Sequence, residues 1–321
     1  MGKNNVKDSN ADNSFLLNNV FIKPEKEQEF EHLESSLDAL IALFPEDKEI
    51  EYYVEQALKE SEEIEDNPNG PHYGLLNDHQ NPQKTFHYMT YPINPFLNLI
   101  FLVRTVNDDF EILSISLSGK GCKNKFQITS KYQWENTYEG DVSAQYCEKE
   151  FCFIEPFFFK NRKKLKLNKP SDISLFGVAL SCEPQEGSTL EIKEGALFEH
   201  IQKEFLEKNP DKTAADMKPI SISTQGMTYF EEEEFKTVYD YRGILISVDQ
   251  DEAFGEKCFK LSVVIYRTPN EQEFVAINLY ASEHVLEGYI PKEGDDIAGR
   301  LILFGSHFDR SNDKIDIVCY K

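Results

Sequence analysis

Residues 239–248, Tyr-Asp-Tyr-Arg-Gly-Ile-Leu-Ile-Ser-Val, open the most regular part of the chain. Tyr239 and Tyr241 share one parity, Ile244, Ile246 and Val248 the other, and the change at Gly243 predicts a strand carrying a glycine β-bulge. Downstream, Phe259, Leu261, Val263 and Ile265 alternate as one face of a second strand, and Val275, Ile277 and Leu279 as one face of a third. A helical turn is expected over Glu283–Leu286. Pro291–Asp296 then leads into a fourth strand with Ile297, Leu301 and Leu303, and Ile315, Ile317 and Cys319 mark a fifth.

Three strands, a short helix and two further strands resemble the OB-fold, a five-stranded Greek-key barrel. The segment Pro291-Lys-Glu-Gly-Asp-Asp-Ile-Ala-Gly299 is also similar to the turn before the fourth strand of such barrels. A small SH3-like barrel is the competing reading. The resemblance covers about a quarter of the chain, within 226–321, and implies a ligand face on strands two and three. Carried over, that face holds Lys260, Ser262 and Tyr266, then Phe274, Asn278 and Tyr280, extended by Arg300 and Phe304. Aromatic rings among cations suit single-stranded nucleic acid, and the family also takes oligosaccharides. The alternative is that this face packs on the rest of the molecule.

Charge divides the chain unevenly. The 321 residues hold 34 Lys plus Arg against 57 Asp plus Glu, a net −23. Residues 25–66 hold three basic and sixteen acidic side chains, −13, while the last third, 236–321, is only −5. In the acidic stretch Phe30, Leu33, Leu37, Leu40, Ile41 and Phe44 fall on one helical face, which Pro45 ends. Ile50, Tyr53, Val54, Ala57, Leu58 and Ile64 form a second, up to Asn67-Pro-Asn-Gly-Pro71. A helical hairpin over 25–66 is expected, with Glu27, Glu31, Glu34, Glu51 and Glu55 on its surface. These carboxylates serve solubility, or they dock a basic protein partner.

The remainder reads as extended. Strands are expected at Thr85–Tyr91, Phe96–Val106, Phe110–Ser118, Phe126–Trp134, Ala144–Phe159 and Ile173–Cys182, a sheet within 84–192. One helix over 195–208, with Leu197, Phe198, Ile201 and Phe205 on its apolar face, closes that sheet. The fold class is therefore α+β: a disordered 1–19, an α+β domain over 20–225 with a mostly antiparallel sheet, and an OB-like barrel over 226–321. Phe151, Phe153, Phe157, Phe158 and Phe159 precede six cations between Lys160 and Lys169. Stacking on nucleic acid and a core strand followed by a charged turn both account for them, and the consecutive phenylalanines favour the core.

Several classes are set aside by what is missing. The acidity opposes general affinity for nucleic acid, leaving the C-terminal barrel as the one place for it, and opposes anionic membrane. No run approaches a membrane span, and no signal-peptide core is present, so the cytoplasm is expected. Six cysteines then read as free thiols; Cys147 and Cys152 lack zinc-site spacing, and neither metal nor cofactor is expected. Phosphate-loop, dinucleotide, zincin and nucleophile-elbow motifs are absent. Ser306, His307 and Asp309 are neighbours, but adjacency does not make a triad. The expected function is a non-catalytic binding or adaptor protein acting through protein contacts, of inhibitor or immunity type toward a basic partner. Ligand binding by the barrel and an enzyme with an unfamiliar site are the alternatives.

Overall fold

The computed structural model describes residues 38–44, 50–64, 84–106, 109–134, 138–187, 189–233, 236–268 and 273–307. Segment 1–19, most of the first hairpin helix with Glu27, Glu31 and Glu34, the break at 67–71 and the fifth strand at Ile315–Cys319 lie outside them. Within them the chain is mostly β with few helices.

Residues 38–41 are helical, and α1 (Ile50–Glu60) follows as expected. Next come β1 (Glu62–Glu63), β2 (Lys84–Pro92), β3 (Leu97–Val106) and β4 (Asp109–Gly119), an antiparallel sheet in the order β1-β2-β3-β4. β5 (Cys122–Gln133), β6 (Gly140–Tyr146), β7 (Lys149–Ile154), the one-turn α2 (Phe158–Asn161) and β8 (Pro170–Pro184) make a first unit. The single strand expected at Ala144–Phe159 is thus a hairpin and a helical turn, reversed at Cys147, whose φ is +53°. β9 (Thr189–Ile192), α3 (Ala196–Lys208), β10 (Ile220–Ser223) and β11 (Tyr229–Glu232) lead to a second unit. It comprises β12 (Val238–Ala253), β13 (Glu256–Arg267), β14 (Phe274–Ser282), a turn over 283–288 and β15 (Asp296–His307).

The two units have the same connectivity. In each, three strands form an antiparallel meander, a helical turn follows, and a fourth strand pairs back antiparallel to the first. The fourth strands then pair with each other, Ile173 opposite His307 through Pro184 opposite Ile297. Each also runs parallel to the third strand of the other unit, β8 beside β14 at Phe176–Val178 and β15 beside β7 at Phe304. Each unit is thereby closed into a five-stranded ring by the fourth strand of its neighbour, so hydrogen-bonded pairing crosses the boundary expected at 225/226. The place of the fifth strand, between β14 and β15, is held by β8.

Phe176 and Phe304 face each other at the centre of this ribbon, stacked with ring centroids 5.0 Å apart and 7° between planes. The sequence repeats here: Asp172-Ile173 and Leu175-Phe176-Gly177 correspond to Asp296-Ile297 and Leu303-Phe304-Gly305. Between Arg300 opposite Ser181 and Leu301 opposite Ala179 the pairing shifts by one residue, leaving Leu180 of β8 as a bulge. Ile173, Leu175, Ala179, Leu301 and Leu303 face the ring interiors, with the alternating residues of β13 and β14. Phe176, Val178, Ile302 and Phe304 face the other way, under Leu97, Leu99, Phe101 and Leu117 of the small sheet and Leu40, Leu43 and Ala57 of the helices.

Two expectations are corrected. The parity change in β12 does not fall at Gly243: Tyr239, Tyr241 and Leu245 are all buried, and the register shift lies between Leu245 and Ser247. Gly243 answers a different need. A Cβ there would come within 2.4 Å of the Val264 carbonyl oxygen, where β12 passes from β15 to β13. Second, α3 forms but closes no sheet, because none of its residues is buried and Leu197 is 48% exposed.

Truncating one ring of the central stack leaves a cavity with little means of collapse between two sheets. Phe304→Ala is expected to cost about 3–5 kcal/mol of unfolding free energy, and combining it with Phe176→Ala to cost less than the sum of the two single losses. Urea unfolding followed by circular dichroism measures both.

Candidate functional site

The expected barrel face is largely covered. Tyr280 is fully buried, and its hydroxyl donates to the carbonyls of Phe96 and Lys120 at 3.0 and 2.9 Å. Asn278 Nδ2 donates to Lys120 as well, at 2.8 Å. Lys260 lies 4.3 Å from the centre of the Phe96 ring and pairs with Asp249 at 2.8 Å. The ends of β3 and β4 therefore sit on the outer face of β13 and β14, and neither Lys260 nor Tyr280 is open to a stacking ligand. Tyr266 is half-buried against Tyr146 and Phe151, and Phe274 is exposed nearby at the β13–β14 hairpin. Arg300 is exposed elsewhere, ion-paired with Glu233, on a shallow groove of about 530 Å³ shared with Tyr229, Asp240 and Arg242. Glu51 and Glu55 are exposed on α1, Glu55 3.8 Å from Lys59.

The phenylalanine-rich segment is core followed by turn. Phe151, Phe153 and Phe158 fill the first ring, and Phe157 and Phe159 pack against Tyr88 and Phe86 of the small sheet. The basic loop after them is folded down rather than held open. Lys131 donates to the Arg162 and Leu165 carbonyls at 2.6 Å each, and the Arg162 guanidinium lies 4.5 Å from the centre of the Phe159 ring.

Three acidic side chains are buried beside α2, and only Glu155, in line with Phe151 and Phe153, carries a sign of it in the sequence. Glu155 accepts from the Phe157 amide and Asn161 Nδ2, both 3.2 Å, and from the His307 amide at 3.0 Å. One carboxylate thus ties the end of β7 to α2 and to the end of β15. Asp141 lies on β6 opposite Ile154. Burial pushes both carboxyls up to about 7. The third, Glu139, accepts from the Ser114 hydroxyl at 2.8 Å and adds its charge against Asp141. Burial pushes the Cys152 thiol well up, and those of Cys182 and Cys258, elsewhere in the rings, to about 11 and about 12. Among the described residues no cluster of His, Cys, Asp and Glu is suited to a metal, and no helix is long and apolar enough to cross a membrane.

Glu139 also borders the feature that best meets the description of a binding site. β4 is the last strand of its sheet, so among the described residues one of its edges has no strand partner. A cleft of about 430 Å³ follows that edge along six consecutive residues, Ile112–Leu117, and is walled by Leu40, Val54, Leu99 and Glu139. Its two faces differ. Ile115 and Leu117 share the apolar cluster of Leu40 and Leu99. Ser114 reaches Glu139, and Ser116, two residues on, is buried with no hydrogen-bond partner for its hydroxyl among the described residues. Leaving a buried hydroxyl without a partner costs about 1–3 kcal/mol, which a bound group can recover. The signal in the sequence was Ser114-Ile115-Ser116-Leu117-Ser118, an alternation read only as a strand.

The buried carboxyls set a pH dependence. Their folded-state values lie above those of the unfolded chain, so folding holds protons that unfolding releases. The stability they contribute is complete below about pH 4 and is lost as pH rises through about 7. The urea midpoint is therefore expected to fall between pH 5 and pH 8, and Asp141→Asn to flatten that fall.

Compared with protein-family models, with curated proteins and with solved structures, the chain matches none.

Proposed function

We propose that this chain is a non-catalytic, cytoplasmic binding protein that takes an extended segment of a protein partner along the outer edge of β4. The observation that carries the reading is the coincidence of a strand edge with no strand partner among the described residues and an apolar cleft running beside it. Strand addition of this kind gains affinity from main-chain hydrogen bonds and specificity from alternate side chains. An edge left open also invites unwanted pairing, which proteins commonly prevent with lysine, proline or a covering element. Residues 112–117 carry neither lysine nor proline. Val54 of α1 lines the cleft, and Glu51 and Glu55 on the same helix are exposed. That arrangement favours a partner bearing positive charge, in the manner of an inhibitor or immunity protein.

On this reading the two closed rings are OB-like barrels used as a scaffold, with β8 and β15 exchanged between them. A second reading keeps a ligand on the barrel, at the Arg300 groove, where half-exposed Tyr229 offers a ring for a nucleobase or a sugar. Glu233 and Asp240 beside Arg300 weaken it for nucleic acid.

Displayed heptapeptides selected on the whole protein separate the two. Strand addition is expected to slow amide exchange at 112–117 when a selected peptide is bound, and protection confined to 224–230 and 298–300 would overturn it. Glu51→Gln with Glu55→Gln is expected to weaken a basic peptide about threefold, consistent with two exposed charge contacts, and less at high salt.

A further inference from the structure

We infer that the strand received by β4 alternates apolar residues with basic ones, the basic side chains facing Glu139 and Ser116. This rests on the strand-addition reading and specifies the partner's chemistry. A strand hydrogen-bonded to β4 places its side chains alternately above and below the sheet, in step with those of β4. Above, beside Ile115 and Leu117, they meet Leu40, Val54 and Leu99, a wall with no polar atom to satisfy. Below, beside Ser114 and Ser116, they meet a buried carboxylate and a buried hydroxyl at the margin of the apolar cluster of Ile100, Leu102, Phe86 and Tyr88. The Ser114 hydroxyl already donates to Glu139 Oε1. The charge of Glu139 bears on further groups, raising Asp141 and Tyr88 against ionisation.

A cation arriving on this lower face relieves that repulsion, and its N–H groups reach the Ser116 oxygen, whose hydroxyl has no partner among the described residues. An apolar side chain there would seal the Ser116 hydroxyl away from water, and a carboxylate would add negative charge beside Glu139. Lysine is favoured further because its long apolar stem can cross the cleft while the ammonium stays at the polar end. The occupant thus combines the alternation of a strand with the positive charge favoured by exposed Glu51 and Glu55.

Four acetylated and amidated heptapeptides test this on the full chain: alternating lysine–valine, alternating threonine–valine, alternating glutamate–valine, and a scramble of the lysine–valine composition. Calorimetry gives affinity, and amide exchange gives location. The alternating lysine–valine peptide is expected to bind at least about tenfold tighter than the scramble and the glutamate peptide, about 1.4 kcal/mol, and to protect 112–117. Glu139→Gln should remove its advantage over threonine–valine, and Ser116→Ala should reduce that advantage while leaving the melting temperature unchanged or higher. If threonine–valine and lysine–valine protect 112–117 equally in the unaltered protein, the basic alternation is wrong and strand addition stands. If no alternating peptide protects 112–117, strand addition itself is overturned.

Discussion

The antiparallel pairing of β8 with β15 holds the remainder in place. Each strand completes the other unit's ring, so neither ring closes until two segments more than a hundred residues apart have met. Contacts of such long sequence separation are entropically slow to form. Their cooperativity follows from the same fact, since loosening the ribbon opens both rings. The Phe176–Phe304 stack lies at its centre, where one face of the ribbon leaves the ring interiors and enters the second core.

The position of the cleft follows from that second core. The small sheet and the helices cover the apolar outer face of the ribbon, and in doing so lay the ends of β3 and β4 over β13 and β14. This is why Tyr280 bonds to main-chain carbonyls rather than a ligand. The packing that closes the expected barrel face leaves the far edge of β4 without a strand partner among the described residues, between the helices on one side and Glu139 on the other. Covering the barrel face and exposing the strand edge are two results of one docking.

Much of the local structure was legible. Alternation in Phe259–Ile265 and Val275–Leu279 located β13 and β14 and their inward faces correctly, because a half-buried strand must repeat every second residue. The helical face of Ile50–Leu58 was equally plain. Legibility ended where burial was not periodic. Glu139 and Asp141 are buried by the approach of another element, and nothing in the residues around them distinguishes them from surface acids, whereas the apolar run Phe151–Phe159 does mark Glu155. The bulge in β12 was placed at Gly243 because a glycine marks either a bulge or a close approach, and only the neighbouring strand decides which. A repeated Asp-Ile and Leu-Phe-Gly was present in the sequence as the sign of a duplicated unit, but four extra residues in the second copy hide it from a fixed spacing.

By itself, then, the sequence determined most of the strand periods, though not the reversal at Cys147, together with the acidity of 25–66 and the absence of familiar catalytic motifs, since each is a property of residues near one another in the chain. Tertiary structure decided which strand closes which ring, which carboxylates lose water, that the ligand face of the resemblance is covered, and that one edge of β4 is left unpaired among the described residues. Those outcomes depend on which segments compete for the same apolar face. That competition is settled by the total surface each arrangement buries, a quantity no local pattern contains.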